Sequence, residues 1–251
     1  MRTLALLLFL VSPAWGEDLV AALSQNTVSI TASFSGSEIW VFGAVARTAP
    51  VPEEAGPAHV VLAVSGPEQR LTVRRKARVL GIWVNRDAVA VDAVPSFYAV
   101  ATTGPLRAIV SEAERLRYGI GYDQAVRIAD VPAGVENPES FAEAVVRIRE
   151  GNGLYIEAEG AVLLTAETLF NARIQLPANL VEGVYTARMF LVRDSRVVSE
   201  TQARIDVRKA GLERFIYRLA QDRPLLYGLM SIAVALVAGW LASEMFRLLR
   251  R

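Results

Sequence analysis

A long apolar segment near the end of the chain limits most strongly what this sequence can fold into. Residues Pro224 to Ser243 include no charged side chain. A helix of about 20 residues is about 30 Å long, which matches the hydrocarbon core of a bilayer. We therefore predict one transmembrane helix over residues 224–246, and an upstream part that this helix anchors in the membrane.

The first residues carry the three parts of a secretory signal peptide. Arg2 supplies a positive charge, and the apolar run Leu4 to Val11 is too short to span a bilayer. Ala14 and Gly16 then place small residues at the −3 and −1 positions of a cleavage site. We predict a signal peptide over residues 1–16, cleaved before Glu17.

The orientation of the span follows from this signal peptide. A cleaved signal followed by a C-terminal span leaves the body in the periplasm and residues 247–251 as a cytoplasmic tail. Counting basic residues near the span favours the opposite orientation, because more of them precede it than follow it. We give the signal peptide more weight, because a translocated domain crosses largely regardless of its charge.

Composition argues against several classes of function. The 251-residue chain has a formal net charge of +1, no cysteine, and His59 as its single histidine. A nucleic-acid-binding protein would normally be more basic. The absence of cysteine excludes disulfides and thiolate zinc sites, and one histidine is too few for a multi-histidine metal site. We expect no enzymatic activity, no cofactor, no metal site and no nucleic-acid partner.

Most of the body has the pattern of β-strands. Short apolar or alternating runs are separated by turn residues, as in immunoglobulin-like antiparallel β-sandwiches. We predict a mainly β protein with a first β-sandwich domain over residues 17–104 and a second β-rich domain over 151–209. A helical connector over 105–150 joins them, and an amphipathic juxtamembrane helix over 210–223 leads into the span. A single composite sandwich is the alternative.

Two helices are predicted in the connector. Ser111 and Glu114 have the spacing of a capping box, and Gly119 follows the expected end of that helix at about Tyr118. Asn137-Pro138 resembles the start of a second helix, with Asn137 as its cap. We expect that helix to bury one face, formed by Phe141, Ala144, Val145 and Ile148.

One predicted strand places a row of cations on one face. Alternate residues of a strand point to the same side, so Arg70, Arg74, Lys76 and Arg78 share one face, and Leu71 and Val73 share the other face together with Arg75. This row is either a solvated edge strand or a site for an anion, an acidic partner or phospholipid headgroups. The candidate binding residues are Arg70, Arg74, Lys76, Arg78 and Arg86.

The region after this strand is expected to turn and then return to the core. Residues Asn85 to Asp87 have the composition of a hairpin turn. Trp83, Phe97 and Tyr98 follow closely, and we expect at least two of these aromatic residues to be core anchors.

The predicted span carries a stripe of small residues at a spacing of four. Small residues allow a second helix to approach closely, although glycine and alanine are common in any membrane helix. If the stripe packs, its partner is a second copy of the chain or a multi-span permease. The candidate packing residues are Ser231, Ala235, Gly239 and Ser243.

Three segments carry a resemblance to a known family. The runs SITASFSGSEIWVFGA, RRKARVLGIWVNRD and RPLLYGL resemble an uncharacterised family of transmembrane proteins from alphaproteobacteria, and the similarity covers nearly the whole chain. The resemblance implies no specific biochemical activity. Members of the family are often encoded near sulfite-exporter-type permeases, which implies a role in handling sulfur oxyanions across the envelope.

These observations favour one functional hypothesis over two others. The favoured one is a single-pass protein of the bacterial inner membrane, with a periplasmic binding or accessory domain that is the partner of a sulfite-exporter-type anion transporter. The alternative is a structural or adhesion-type envelope protein whose sandwiches bind other proteins. A periplasmic enzyme is the least favoured.

Overall fold

The computed structural model describes residues 16–31, 33–50, 54–131, 135, 137–209 and 212–249. The predicted signal peptide lies outside these residues, apart from Gly16.

The described residues form thirteen strands and six helices. The strands are β1 (Glu17–Leu23), β2 (Thr27–Ile30), β3 (Ser37–Arg47), β4 (His59–Ser65), β5 (Glu68–Val79), β6 (Ile82–Pro95), β7 (Tyr98–Thr102), β8 (Arg127–Asp130), β9 (Tyr155–Ala158), β10 (Val162–Thr165), β11 (Leu169–Leu176), β12 (Gly183–Arg193) and β13 (Arg196–Lys209). The helices are α1 (Leu106–Ile109), α2 (Glu112–Tyr118), α3 (Tyr122–Ala125), α4 (Glu139–Gly151), α5 (Leu212–Asp222) and α6 (Pro224–Leu249).

Strand content confirms the predicted class. Strands make up a larger part of the described residues than helices do, so the protein is mainly β with one C-terminal apolar helix. The strands form three sheets, with orders β1-β3-β11-β10, β2-β13-β12-β4-β7-β9 and β5-β6-β8. Strand β7 pairs with β9 in parallel. The pairs β1–β3, β3–β11, β10–β11, β12–β13, β4–β12, β4–β7, β5–β6 and β6–β8 are antiparallel. An immunoglobulin-like strand order stays a prediction.

Two sheets join segments that lie far apart in the sequence. Strand β11 pairs with β3, and β12 pairs with β4. Each pair therefore joins a strand of residues 17–104 to one of residues 151–209. The described residues up to Val28 and those from Ser35 to Val207 form one compact unit. This arrangement corresponds to the single composite body, which the sequence analysis left open, rather than to two separate β-domains.

The core of this β-rich unit lies around the central strands of the six-stranded sheet. Residues Val60 to Val64 of β4 are at most 1% exposed, and Phe190 and Leu191 of β12 are fully buried. Such continuous apolar runs, rather than alternating ones, are expected where both faces of a strand are covered.

The connector helices follow the local sequence in part. Helix α2 begins after Ser111, whose hydroxyl accepts a hydrogen bond from the backbone N–H of Glu114, and ends at Gly119 in the left-handed conformation (φ 60°). The serine half of the predicted capping box is confirmed there. The other half is not formed, because the Glu114 carboxylate accepts from the backbone N–H of Val197, and the N–H of Ser111 donates to the carbonyl oxygen of Ser195. Helix α4 begins instead after Pro138 without a side-chain cap, and Ile148 is 57% exposed while Phe141 and Val145 are buried. The buried face of α4 therefore ends at Val145, about one turn before Ile148, where the prediction placed its end.

The hairpin of β5 and β6 corrects the predicted turn at Asn85–Asp87. These residues lie within β6, and the chain reverses at Leu80 and Gly81, between the paired residues Val79 and Ile82. Both turn residues have positive φ angles, 50° and 90°, as a two-residue type I′ hairpin requires. The prediction was wrong because it placed the turn at the polar residues 85–87 and gave too little weight to Gly81, where the chain actually turns.

A second unit contains α5 and α6, the last two residues of β13 and the described residues among 29–34. Helix α6 has 26 residues. Among the described residues it is the one helix long and apolar enough to cross a membrane, over Pro224–Ser243 with a mean hydropathy of 2.1. The expected helix before the span is also present, as α5.

Candidate functional site

The five basic residues selected from the sequence all lie on the β5–β6 hairpin. The third strand of this sheet, β8, pairs with β6 only at Ala90 to Asp92. From the pair Val73–Val89 outward, the hairpin therefore consists of two strands alone. This two-stranded part has about seven residues per strand, so it is roughly 20 Å long at 3.3 Å per residue.

The basic residues of β5 form an exposed cationic face, which we define as Arg70, Arg74, Lys76 and Arg78. All four side chains are exposed, while Leu71, Val73, Arg75 and Ala77 between them are partly buried. The alternation in exposure is therefore as the strand period predicts. Arg86 is also exposed, and it has no partner on β5 because the register shifts between Arg75 and Lys76.

The cations differ in how they are bound. Arg70 forms a bidentate ion pair with Asp92, and the Nε of Arg78 donates to the carbonyl oxygen of Gly81 at 3.3 Å. Arg74, Lys76 and Arg86 make no ion pair or hydrogen bond with any residue that the structure describes. These three are thus available to an anionic group, and their role in binding stays a prediction.

An internal ion pair holds the base of the two-stranded part. The guanidinium of Arg75 lies 2.7 Å from the carboxylate of Asp87 and 5.0 Å from the ring centre of Phe141 on α4. Farther from the tip, Arg149 of the same helix donates to the side-chain oxygen of Gln69 at 3.3 Å. Arg75 lies on the face that also carries the core residues, and its charge is compensated there by Asp87.

The apolar end of this hairpin was not expected from the sequence. We call Val79, Leu80, Gly81, Ile82 and Trp83 the hairpin tip. Leu80 is fully exposed, Ile82 and Trp83 are 65% and 68% exposed, and Val79 is 44% exposed. A Cβ placed on Gly81 would meet no atom within 4 Å. The apolar run around the glycine, where a turn is normally polar, is the sequence feature that could have indicated it.

The other two aromatic residues of this region are core anchors, as expected. Phe97 and Tyr98 are buried, and the hydroxyl of Tyr98 donates to the carbonyl oxygen of Gly119 at 3.1 Å. Burial raises the pKa of Tyr98 above its ordinary value. Trp83 is therefore the exception among the three.

The described part of the chain contains no cluster of metal-binding side chains. No three His, Asp or Glu side chains there could hold a metal ion together. His59 lies at hydrogen-bond distance from the hydroxyl of Thr103, with 3.1 Å between Nδ1 and Oγ1, and its partial burial lowers its pKa.

The candidate packing residues of the span share one face of α6. Ser231, Ala235, Gly239 and Ser243 follow one another at a spacing of four within this helix. The hydroxyl of Ser231 donates to the carbonyl oxygen of Tyr227 at 2.9 Å, within the same helix. Packing of this stripe against another helix stays a prediction.

Comparison with known proteins assigns the chain to a family. No curated protein matches it. The family model described as "Putative transmembrane protein (Alph_Pro_TM)" matches residues 18–248, which include both the β-rich body and α6. One apolar helix of sufficient length for a membrane span agrees with that description. The chain therefore belongs to this transmembrane protein family.

Proposed function

We propose that the protein is a non-enzymatic binding or accessory protein, anchored in the bacterial inner membrane by α6, with its β-rich body in the periplasm. The observation that carries this proposal is the apolar span Pro224–Ser243 at the end of a β-rich chain. One span, which is what the described residues contain, can anchor a domain, but one helix is too little to form a transport path by itself. The protein would therefore act through what its body binds.

The exposed cationic face supports an anionic ligand or an acidic partner. Arg74 and Lys76 of this face and the exposed Arg86 of β6 have no partner among the described residues, and neighbouring like charges attract a group of opposite charge. We propose that the partner is an inner-membrane anion transporter of the sulfite-exporter type. The body would then hold an oxyanion, or the transporter itself, through this surface.

A structural or adhesion-type envelope protein is the second candidate. Leu163 on the edge strand β10 and Leu169 on the adjacent strand β11 are 61% and 59% exposed. An edge strand with exposed apolar side chains can pair with a strand of another protein.

The orientation is tested with reporter fusions placed after Arg251. We expect a green fluorescent protein to be fluorescent there, and alkaline phosphatase to be inactive, because the C-terminus would be cytoplasmic. Sequencing of the mature N-terminus should begin at Glu17. Active alkaline phosphatase after Arg251, or an uncleaved N-terminus, would overturn the proposed topology.

The partner is tested by cross-linking in native membranes, followed by purification of the full chain and mass spectrometry. Cross-linked material should contain an anion transporter, and the double substitution Arg74→Glu and Lys76→Glu should remove it. Arg196→Glu with Arg204→Glu is the matched control, because both residues are exposed on β13 and have no described ion-pair partner. Equal capture by both double variants would contradict a role for the cationic face.

A further inference from the structure

We propose that the hairpin tip inserts into the interfacial layer of an anionic phospholipid bilayer, with Lys76 and Arg78 placed against the lipid phosphates. This inference deepens the proposed function, because it identifies lipid headgroups as an anionic group that the cationic face meets. The inference uses one part of the proposed function, namely that the membrane span holds the body beside a bilayer.

The conformation of Leu80 indicates that leucine at this position does not stabilise the folded hairpin. Leu80 occupies the first position of the type I′ turn, with a φ angle of 50°. That position favours asparagine, aspartate or glycine, and a leucine there costs free energy. Leu80 is also fully exposed, so it regains nothing by burial within its own chain. The residue is unfavourable in conformation and in solvation until something apolar covers it.

The shape of the tip fits a bilayer better than a preformed protein groove. Val79 and Ile82 are directly paired and share one face, whereas Trp83 is paired with Arg78 on the other. The exposed apolar side chains therefore surround the end of a two-stranded ribbon on both faces, instead of forming one flat patch. Tryptophan is enriched at the membrane–water interface, where its ring is buried and its N–H remains hydrated.

The charges behind the tip match a surface of lipid phosphates. Residues 73–86 contain five basic residues and no acidic one. One of them, Arg75, is compensated by Asp87 at the base. Lys76 and Arg78 lie within four residues of Leu80, so insertion of the tip would bring them to headgroup depth. Basic residues at that depth are attracted by anionic lipids, as in amphipathic segments that bind such membranes.

The experiment places a single fluorophore near the tip of the full chain. The sequence contains no cysteine, so Asn85→Cys provides a unique site for an environment-sensitive dye without altering the apolar tip residues. Gln202→Cys provides the control, on the exposed surface of β13. Both proteins are reconstituted into vesicles of phosphatidylcholine with or without phosphatidylglycerol. In one series, these vesicles include lipids that carry a doxyl quencher, which detects insertion of the tip into the membrane that holds the protein. In a second series, the quencher lipids are in separately added vesicles of the same composition, which detects insertion into another membrane.

We expect quenching and a blue shift at residue 85 in vesicles with phosphatidylglycerol, and neither change at residue 202. Leu80→Asn should reduce the quenching at residue 85, although asparagine suits the turn better. Lys76→Glu with Arg78→Glu should require a higher mole fraction of phosphatidylglycerol for the same quenching. Amide exchange of residues 71–89 shows that the hairpin remains folded in each variant.

Three results of the quenching experiment would overturn the inference. They are the absence of quenching at residue 85 in every vesicle, equal quenching at residues 85 and 202, and quenching that Leu80→Asn leaves unchanged. Cross-linking of the tip to a membrane protein instead of lipid would also overturn it. The vesicles contain no other protein, so failure to find a transporter in native membranes does not affect this result.

Discussion

Arg193 binds Glu17 through two hydrogen bonds that connect two sheets. Nε of Arg193 lies 2.7 Å from Oε2 of Glu17, and a terminal nitrogen lies 3.0 Å from Oε1. The two side chains are 1% and 5% exposed, and Arg47 adds a hydrogen bond to Glu17 at 2.8 Å. Strand β1 is thereby joined to β12 at the residue predicted to begin the mature chain.

Neutralising Glu17 should destabilise the β-rich unit in a pH-dependent way. The hydrogen bond from Arg193 lowers the pKa of Glu17 below its ordinary value of 4.5. A carboxyl group with a lowered pKa stabilises the fold above pH 4.5, and this contribution is lost as the pH falls through the folded-state pKa. Glu17→Gln should cost about 3 kcal/mol at pH 7, because the buried Arg193 then keeps only the half-exposed Glu167, 3.1 Å away, as a carboxylate partner among the described residues.

Urea denaturation of the full chain in detergent at pH 7 and pH 3 measures this difference. Glu38→Gln is the control, because its pair with Arg173 is largely exposed, at 37% and 54%. The control should differ little from the wild type. A cost for Glu17→Gln that remains equally large at pH 3 would show that its charge is not what stabilises β1.

Local features of the fold could be predicted from the sequence. Helix α2 follows from Ser111 at its start and Gly119 at its end, because each cap acts on backbone groups within about one turn of itself. Helix α6 follows from the 20 uncharged residues Pro224 to Ser243. The alternating exposure of β5 follows from its period of two. In each of these cases the determining contacts lie close together in the chain.

Features that depend on distant or competing contacts could not be predicted. Nothing in the periodicity of β11 indicates that it pairs with β3, since an apolar strand fits several neighbours. The hairpin tip was missed because Leu80 contradicts the usual composition of a turn, while Asn85 to Asp87 agree with it. Such a conflict between local preference and observed structure is expected at functional positions.

Leu80→Asn should stabilise the hairpin. Asparagine adopts positive φ angles more easily than leucine does, and Asn-Gly is a preferred pair for a type I′ turn. The free energy of unfolding should rise by about 1 kcal/mol, the cost of a left-handed conformation for most residues. Urea denaturation of the full chain in detergent measures it. A loss of stability would mean that Leu80 makes a favourable contact within the protein.

Asp87→Asn should loosen the outer part of the hairpin. It removes the carboxylate that lies 2.7 Å from the Arg75 guanidinium, on a partly buried surface beside Phe141. Amide exchange of residues 76–85 should therefore become faster, while exchange in β4 stays unchanged. Asp92→Asn is the matched control, because its partner Arg70 is 74% exposed and such pairs contribute little. Equal effects of the two substitutions would contradict an anchoring role for Arg75.

Glu114 should be needed to hold α2 against the turn between β12 and β13. Its carboxylate accepts a hydrogen bond from the backbone N–H of Val197 at 2.9 Å, and the backbone N–H of Ser111 donates to the carbonyl oxygen of Ser195 at 3.0 Å. The Glu114 side chain is 15% exposed, so water can replace the lost acceptor only in part. Glu114→Ala should therefore cost about 2 kcal/mol, the cost of an unsatisfied buried donor. Glu114→Gln keeps an oxygen acceptor and should cost clearly less, as measured by urea denaturation of both variants. If the two substitutions cost the same, the contribution of Glu114 comes from its charge, near the N-terminus of α2, rather than from its hydrogen bond to Val197.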